Sequence, residues 1–259
     1  MADITVRNQG QVDNSGKVNW RGDQVTVPQG GQSIYDTSTI KQTDLGSRKV
    51  VGDRVFRYAL ANGAAGAGDV CESVPISLLA VTGGTANPAG GKIFTFYFAT
   101  ANVAGLYNEG YLHCGSGTAA NLGYMYRVKN QPAVGATSEA ELELYDPLKK
   151  AVDVVDEWSL TANMYGGVVE NTDGTELVVG VAPVLVASGD YFWLQTWGPC
   201  AIKGSASANA GIALSPGATG EVYDYVVGTT AKTSAICVGQ SMQVLAASEY
   251  GMAFITIAP

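Results

Sequence analysis

Ser138–Asp146 reads SEAELELYD. Ala140, Leu142 and Leu144 alternate with Glu139, Glu141 and Glu143, a strict period of two. Successive side chains on a strand point to opposite faces, so this stretch predicts a β-strand with one dry face and one wet face. The same period extends outward on both sides. In LGYMYRVKN, residues 122–130, Tyr124, Tyr126 and Val128 alternate with Met125, Arg127 and Lys129. In KIFTFYFAT, residues 92–100, Phe94, Phe96 and Phe98 share one face, with Ile93, Thr95 and Tyr97 on the other. Both faces of that strand are bulky, which predicts that it is covered twice.

Further strands are expected in KVVGDRVFRYAL, EWSLTA, ELVVGVAPVLV, GDYFWLQTW, EVYDYVV, SAICVGQSMQVLA and MAFITIA. Turn chemistry separates them, as in GGTANPAGG, GSGTAAN, ENTDGTE, ASGD and SPGATG, and the 33 glycines suit a turn-rich β protein. PLKKAVDVVDEW places Ala151, Val154, Val155 and Trp158 at helical spacing, but its valines favour strand, so the segment reads either way. The expected fold class is all-β: an antiparallel sandwich or barrel of many short strands. FRYALANGAAGAGDVCESVP and PCAIKGSASANAGIALSPG resemble each other, with Ala67-Gly68-Asp69-Val70 matching Ala210-Gly211-Ile212-Ala213. They read as one hairpin device used twice.

Residues 1–48 differ from the rest. They are rich in Asn, Gln, Asp, Ser, Thr and Gly, with Trp20, Ile34, Tyr35, Ile40 and Leu45 as the main large apolar side chains. Such a segment cannot build its own core. It predicts an extended N-terminal arm at 1–48 that lies over something else, ahead of a β-rich domain at 49–259 that has room for two β subdomains. The arm also reads as a tether, with Trp20, Ile34 and Tyr35 entering pockets along a neighbour's sheet edge.

YFWLQTWGPC, from Tyr191 to Cys200, concentrates aromatic rings. Tyr191, Trp193 and Gln195, with Trp197, alternate with Phe192, Leu194 and Thr196. A strand apolar on both sides is central in a sandwich or lies under a subunit contact. Trp193 and Trp197 are therefore candidate interface residues, and Gly198-Pro199 is expected to end the ladder, because proline donates no hydrogen bond.

The composition narrows function. Charged residues are 15% of the 259, against 46% hydrophobic, and the net charge is −8. So little charge for a water-exposed surface implies that part of it faces other subunits, and a homo-oligomer, most simply a trimer, is expected. No basic stripe exists to neutralise phosphates, so no nucleic-acid partner is expected. No apolar run approaches spanning length and no export signal opens the chain, so no membrane partner is expected. Cys71, Cys114, Cys200 and Cys237 are widely spaced without a CxxC, which fits free buried thiols.

Catalytic, metal and cofactor sites are all expected to be absent. His113 is the single histidine, and Cys114 beside it would point to the opposite face of a strand. Glu139, Glu141 and Glu143 form a carboxylate row, but glycoside hydrolysis needs two carboxylates facing across a cleft. ENTDGTE lacks the twelve-residue calcium pattern. Gly90-Gly91-Lys92 lacks the leading glycine and the hydroxyl of a phosphate loop. Arg21-Gly22-Asp23 spells an adhesion tripeptide, unsupported by anything around it.

RYALANGAAGAGDVCES, GYMYRVKNQPAVGATSEAELELYDPL and YFWLQTWGPCAIKGSASANAGIALSP, followed by VGQSMQVLAASEYGMAFITI, resemble capsid decoration, or cement, proteins of tailed bacteriophages. The resemblance spans roughly residues 50–259. Its most distinctive piece is the W-G-P-C turn followed by a small-residue hairpin and a closing V-G strand. It implies β-rich subunits, often trimers, on the exterior of a phage head, clamping neighbouring units of the major capsid protein after assembly in host cytoplasm. A head-fibre or tail protein that touches the host surface, and a carbohydrate-binding β domain, remain as alternatives.

Overall fold

A computed structural model describes residues 11–12, 18–19, 31–74, 78–82, 86–98, 101–117, 120–135, 138–153, 156–172, 176–205, 209–225, 236–246 and 248–259. The fold is all-β: two large antiparallel sheets, no helix and no closed barrel, in keeping with a sandwich. A small hairpin of β1 (Gln11–Val12) and β2 (Val18–Asn19) precedes them. The chain then lays down β3 (Arg48–Val51), β4 (Arg54–Leu60) and β5 (Val70–Ser73). Next come β6 (Leu78–Thr82), β7 (Ile93–Phe98), β8 (Tyr111–Ser116), β9 (Met125–Asn130), β10 (Ser138–Leu144) and β11 (Glu157–Thr161). The last group is β12 (Val168–Glu170), β13 (Val178–Val181), β14 (Tyr191–Lys203), β15 (Ala213–Pro216), β16 (Val222–Asp224), β17 (Gly239–Ser241) and β18 (Tyr250–Thr256).

Strands β6 to β11 form one sheet in the order β6-β11-β8-β9-β10-β7. Its core follows the period-two reading. Phe94, Phe96, Phe98, Leu142 and Leu144 are all fully buried, and Trp158 lies 5.3 Å from Phe94, ring centre to ring centre. Glu139 and Glu141 face outward opposite Tyr97 and Thr95. The sheet corrects one expectation: β7 is covered on one face, not two, for Ile93 and Tyr97 are 45% and 47% exposed. Leu148, Val152, Val134 and Tyr107, from the connections, complete the inner face. The free edge of β7 is blocked at its middle. The Asn87 side chain accepts from the Thr95 N–H at 2.8 Å and donates to the Thr95 carbonyl at 3.0 Å, as a neighbouring strand would. The ambiguous stretch 147–158 is not helical where described: Val152 bridges Asn87, and Glu157 and Trp158 begin β11.

The remaining strands form the ten-stranded sheet, which has its own cores. Its ends approach one another at Asn171. The Asn171 N–H donates to Val70 O, the Gly220 N–H to Asn171 O, and the Val70 N–H to Gly220 O. At the centre runs β14, thirteen residues long. It does not stop at Gly198-Pro199, as the sequence predicted. Its first half pairs with β4, from Tyr191↔Leu60 to Trp197↔Val55, and its second half pairs with β18, from Trp197↔Thr256 to Lys203↔Tyr250. A bulge at Gln195–Trp197 and a left-handed Gly198, φ 91°, turn the strand between partners. The buried Gln195 amide donates to the carbonyls of Trp197 and Pro199, replacing donors that the irregular ladder lacks.

The matched glycines of the repeated hairpin device share a conformation: φ is 81° at Gly68 and 79° at Gly211, each two residues before a strand starts. The structure shows two further corners of this kind that sequence reading missed. VASGDY (186–191) and LAASEY (245–250) place Gly189 at φ 89° and Ser248 at φ 61° in the same position. Around them Val179, Gly180, Ala187 and Tyr191 recur as Val238, Gly239, Ala246 and Tyr250 at one constant offset. The β13–β14 and β17–β18 units are thus two versions of one strand–corner–strand element.

Candidate functional site

The aromatic stretch of β14 sits against the segment that precedes β3. Trp193 is buried and packs edge-on to Tyr58, with centroids 5.0 Å apart, and Ile34 and Phe56 close the cluster. The Trp193 indole donates to Gln32 O at 3.0 Å, and the Lys49 ammonium lies 4.8 Å above its ring. Burial pushes the Lys49 amine below its ordinary value. Ser38 and Tyr191 exchange two backbone hydrogen bonds of 3.0 and 2.7 Å. Farther along, Glu109, buried and at φ 61°, receives Lys41 at 2.5 Å and the Leu45 N–H at 2.7 Å, tying the segment to the six-stranded sheet.

The proposed interface residues therefore part company. Ile34 and Trp193 are held inside the chain, where both complete one core cluster. Tyr35 is exposed, and Trp197 is half-buried, edge-on to Phe254 at 5.8 Å. Trp20 lies outside the described residues, as does the Arg21-Gly22-Asp23 tripeptide. Of the segment set apart as an arm, 31–48 lies over β4 and β14 of its own chain.

A shallow groove of about 540 Å³ runs between Gln32, Tyr35, Gln42 and Leu185. Its amides are engaged internally. Gln32 donates to the carbonyls of Asp36 and Tyr191 and accepts from the Tyr58 hydroxyl, and Gln42 donates to Ile40 O. The groove holds no nucleophile beside a base. His113 pairs with Met125 and Ser159 on β8, while Cys114 points into the core on the opposite face. Among the described residues, no group of three or more His, Cys, Asp and Glu side chains is placed to hold a metal ion. ENTDGTE lies partly outside the described residues.

One acidic cluster lies where the ends of the ten-stranded sheet meet. Asp69 accepts from the Gly66 N–H at 2.6 Å, and Lys203 pairs with Glu221 at 3.1 Å. Burial, above all, raises the Asp69 and Glu170 carboxyls above the usual range, and their mutual repulsion adds to the rise at Glu170. A carboxyl raised on folding carries no penalty in acid and acquires one as pH rises past the carboxylate range, so this closure is tightest below neutrality.

The four cysteines are free thiols; Cys71, Cys114 and Cys200 are buried and Cys237 is exposed. Burial pushes the Cys71 and Cys114 thiols up and takes Cys200 to about 12. Thiolate is the reactive form, so the buried three are inert. Titration of native protein with a thiol reagent is expected to find Cys237 first. Titration after unfolding without reductant should reach all four, and a count of two or none would show disulfides.

No protein-family model, curated protein or solved structure matches the chain.

Proposed function

We propose that this chain is a non-enzymatic virion structural protein, a capsid decoration or cement protein. It binds the exterior of a tailed-phage head, stabilises contacts between units of the major capsid protein, and associates with itself, most simply as a trimer. The observation that carries this reading is the exposure of large apolar side chains across a charge-poor surface. Leu185, Val103, Ile40 and Met125 are 75%, 71%, 69% and 62% exposed. Contiguous apolar surface of this kind marks interaction sites more than solvent-facing ones. The resemblance of residues 50–259 to decoration proteins supports the same reading, and the N-terminal residues supply the tether.

Co-sedimentation with undecorated heads tests it. Full-length protein is expected to pellet with heads to a saturating occupancy. Protein lacking residues 2–30 keeps Gln32 and Ile34 in place and is expected to fold, with lower occupancy. Failure of the full-length chain to pellet with heads sinks the reading, and equal occupancy of the two chains removes the tether from it.

A second reading, a carbohydrate-binding β domain, draws on the exposed Tyr97 directly opposite Glu139 on the outer face of the six-stranded sheet. An aromatic face beside a carboxylate suits a sugar ring. Retention on polysaccharide that Tyr97→Ala abolishes would favour it.

A further inference from the structure

The two versions of the strand–corner–strand element are treated differently by the chain. Tyr191 and Trp193 correspond to Tyr250 and Met252 at the common offset. In the first version, residues 32–38 lie over this face: Ser38 pairs with Tyr191, Gln32 accepts from the Trp193 indole, and Ile34 fills the space beside it. In the second version the inward residues are just as well packed, with Ala253 and Ile255 fully buried. The outward ones are not: Tyr250 is 59% and Met252 37% exposed, and no described segment lies over them. The face continues across the ladder. Met252 stands opposite Ala201 and Phe254 opposite Pro199, with Trp197 edge-on to Phe254.

We propose that this face, the outer side of β18 and of the second half of β14, is buried against a second copy of the chain. The first version of the element shows what such a face receives: an apolar side chain and a run of paired backbone. Charge selects the partner. Each copy carries a net charge of −8, so two copies approach most favourably through a face free of carboxylates. Tyr250, Met252, Phe254, Trp197, Pro199 and Ala201 make such a face, and Lys203 at its rim is held by Glu221. Met252 adds an adaptable side chain suited to a contact between copies. The inference rests on the proposed self-association and is independent of head binding.

Sedimentation velocity at micromolar concentration is the test. Wild-type protein is expected to sediment as an oligomer, and Met252→Glu as a monomer with an unchanged circular-dichroism spectrum. Met125→Glu, on the other sheet, should remain oligomeric. A wild-type monomer, or a Met252→Glu variant that still assembles, overturns the proposal. Peroxide oxidation of the native wild-type protein gives a check without mutation. Met242, whose N–H donates to the Met252 carbonyl, is 51% exposed in the single chain, and Met125 62%. Met242 should gain oxygen several-fold more slowly than Met125, and equal rates count against the contact. Heads that bind a wild-type monomer would sink the self-contact and leave the capsid reading standing.

Discussion

Gly198→Val is expected to cost more than about 3 kcal/mol of stability, close to the whole margin of many domains. Two penalties coincide. Gly198 has φ 91°, a conformation that side chains other than glycine rarely adopt. A Cβ there would also stand 2.3 Å from the Asp53 carbonyl oxygen, which belongs to the β3–β4 turn. Backbone on both sides of the clash leaves nothing flexible to move. Gly52 separates the two effects: its φ is 63°, but a Cβ would meet nothing within 4 Å. Gly52→Ala should therefore lose only the conformational part, about 1–2 kcal/mol. Urea unfolding of the two variants measures both, and equal losses would show that the crowding at Gly198 is absent.

Leu144→Ala is expected to cost about 2–5 kcal/mol, because it empties space in a fully buried position. Leu144 has no exposed surface and packs among Leu142, Phe94 and Trp158. Glu141→Ala, three residues away on the wet face, should cost about half a kcal/mol or less. Chemical denaturation distinguishes them, and similar losses would mean that the strand is set one residue out of register.

The inner faces were legible because period-two alternation needs no knowledge of partners. Ala140, Leu142 and Leu144 follow from it directly, as do Tyr126 and Val128. What alternation cannot supply is the cover on the other side. Ile93 and Tyr97 look like core residues in the sequence, yet they face out. Trp193 and Ile34 look like interface residues, yet they pack on each other. A large apolar side chain fits either setting, and only long-range pairing decides. The run through Gly198-Pro199 was hidden for a different reason. A proline ordinarily ends a ladder, but here the Gln195 amide satisfies the carbonyls on either side of the change of partner. The corners at VASGDY and LAASEY escaped notice because Ser248 takes the place that glycine holds in the other three. Their shared signal, a small pair followed by an acid and a tyrosine, spans few residues and carries little weight in one chain.

The six-stranded sheet enters and leaves between β5 and β12, and those two strands are hydrogen-bonded neighbours. The Val74 N–H donates to Gly167 O at 2.7 Å, so the chain departs and returns at nearly one point. In topological terms the whole sheet, with its phenylalanine core, is a decorated hairpin loop of its larger companion. A lineage carrying this fold is free to enlarge, trim or exchange that loop while the ladder beneath it keeps every partner. The outer surface displayed by β7 to β11 can therefore diversify at a pace that the ten-stranded sheet, bound by the shared register of β14, cannot match.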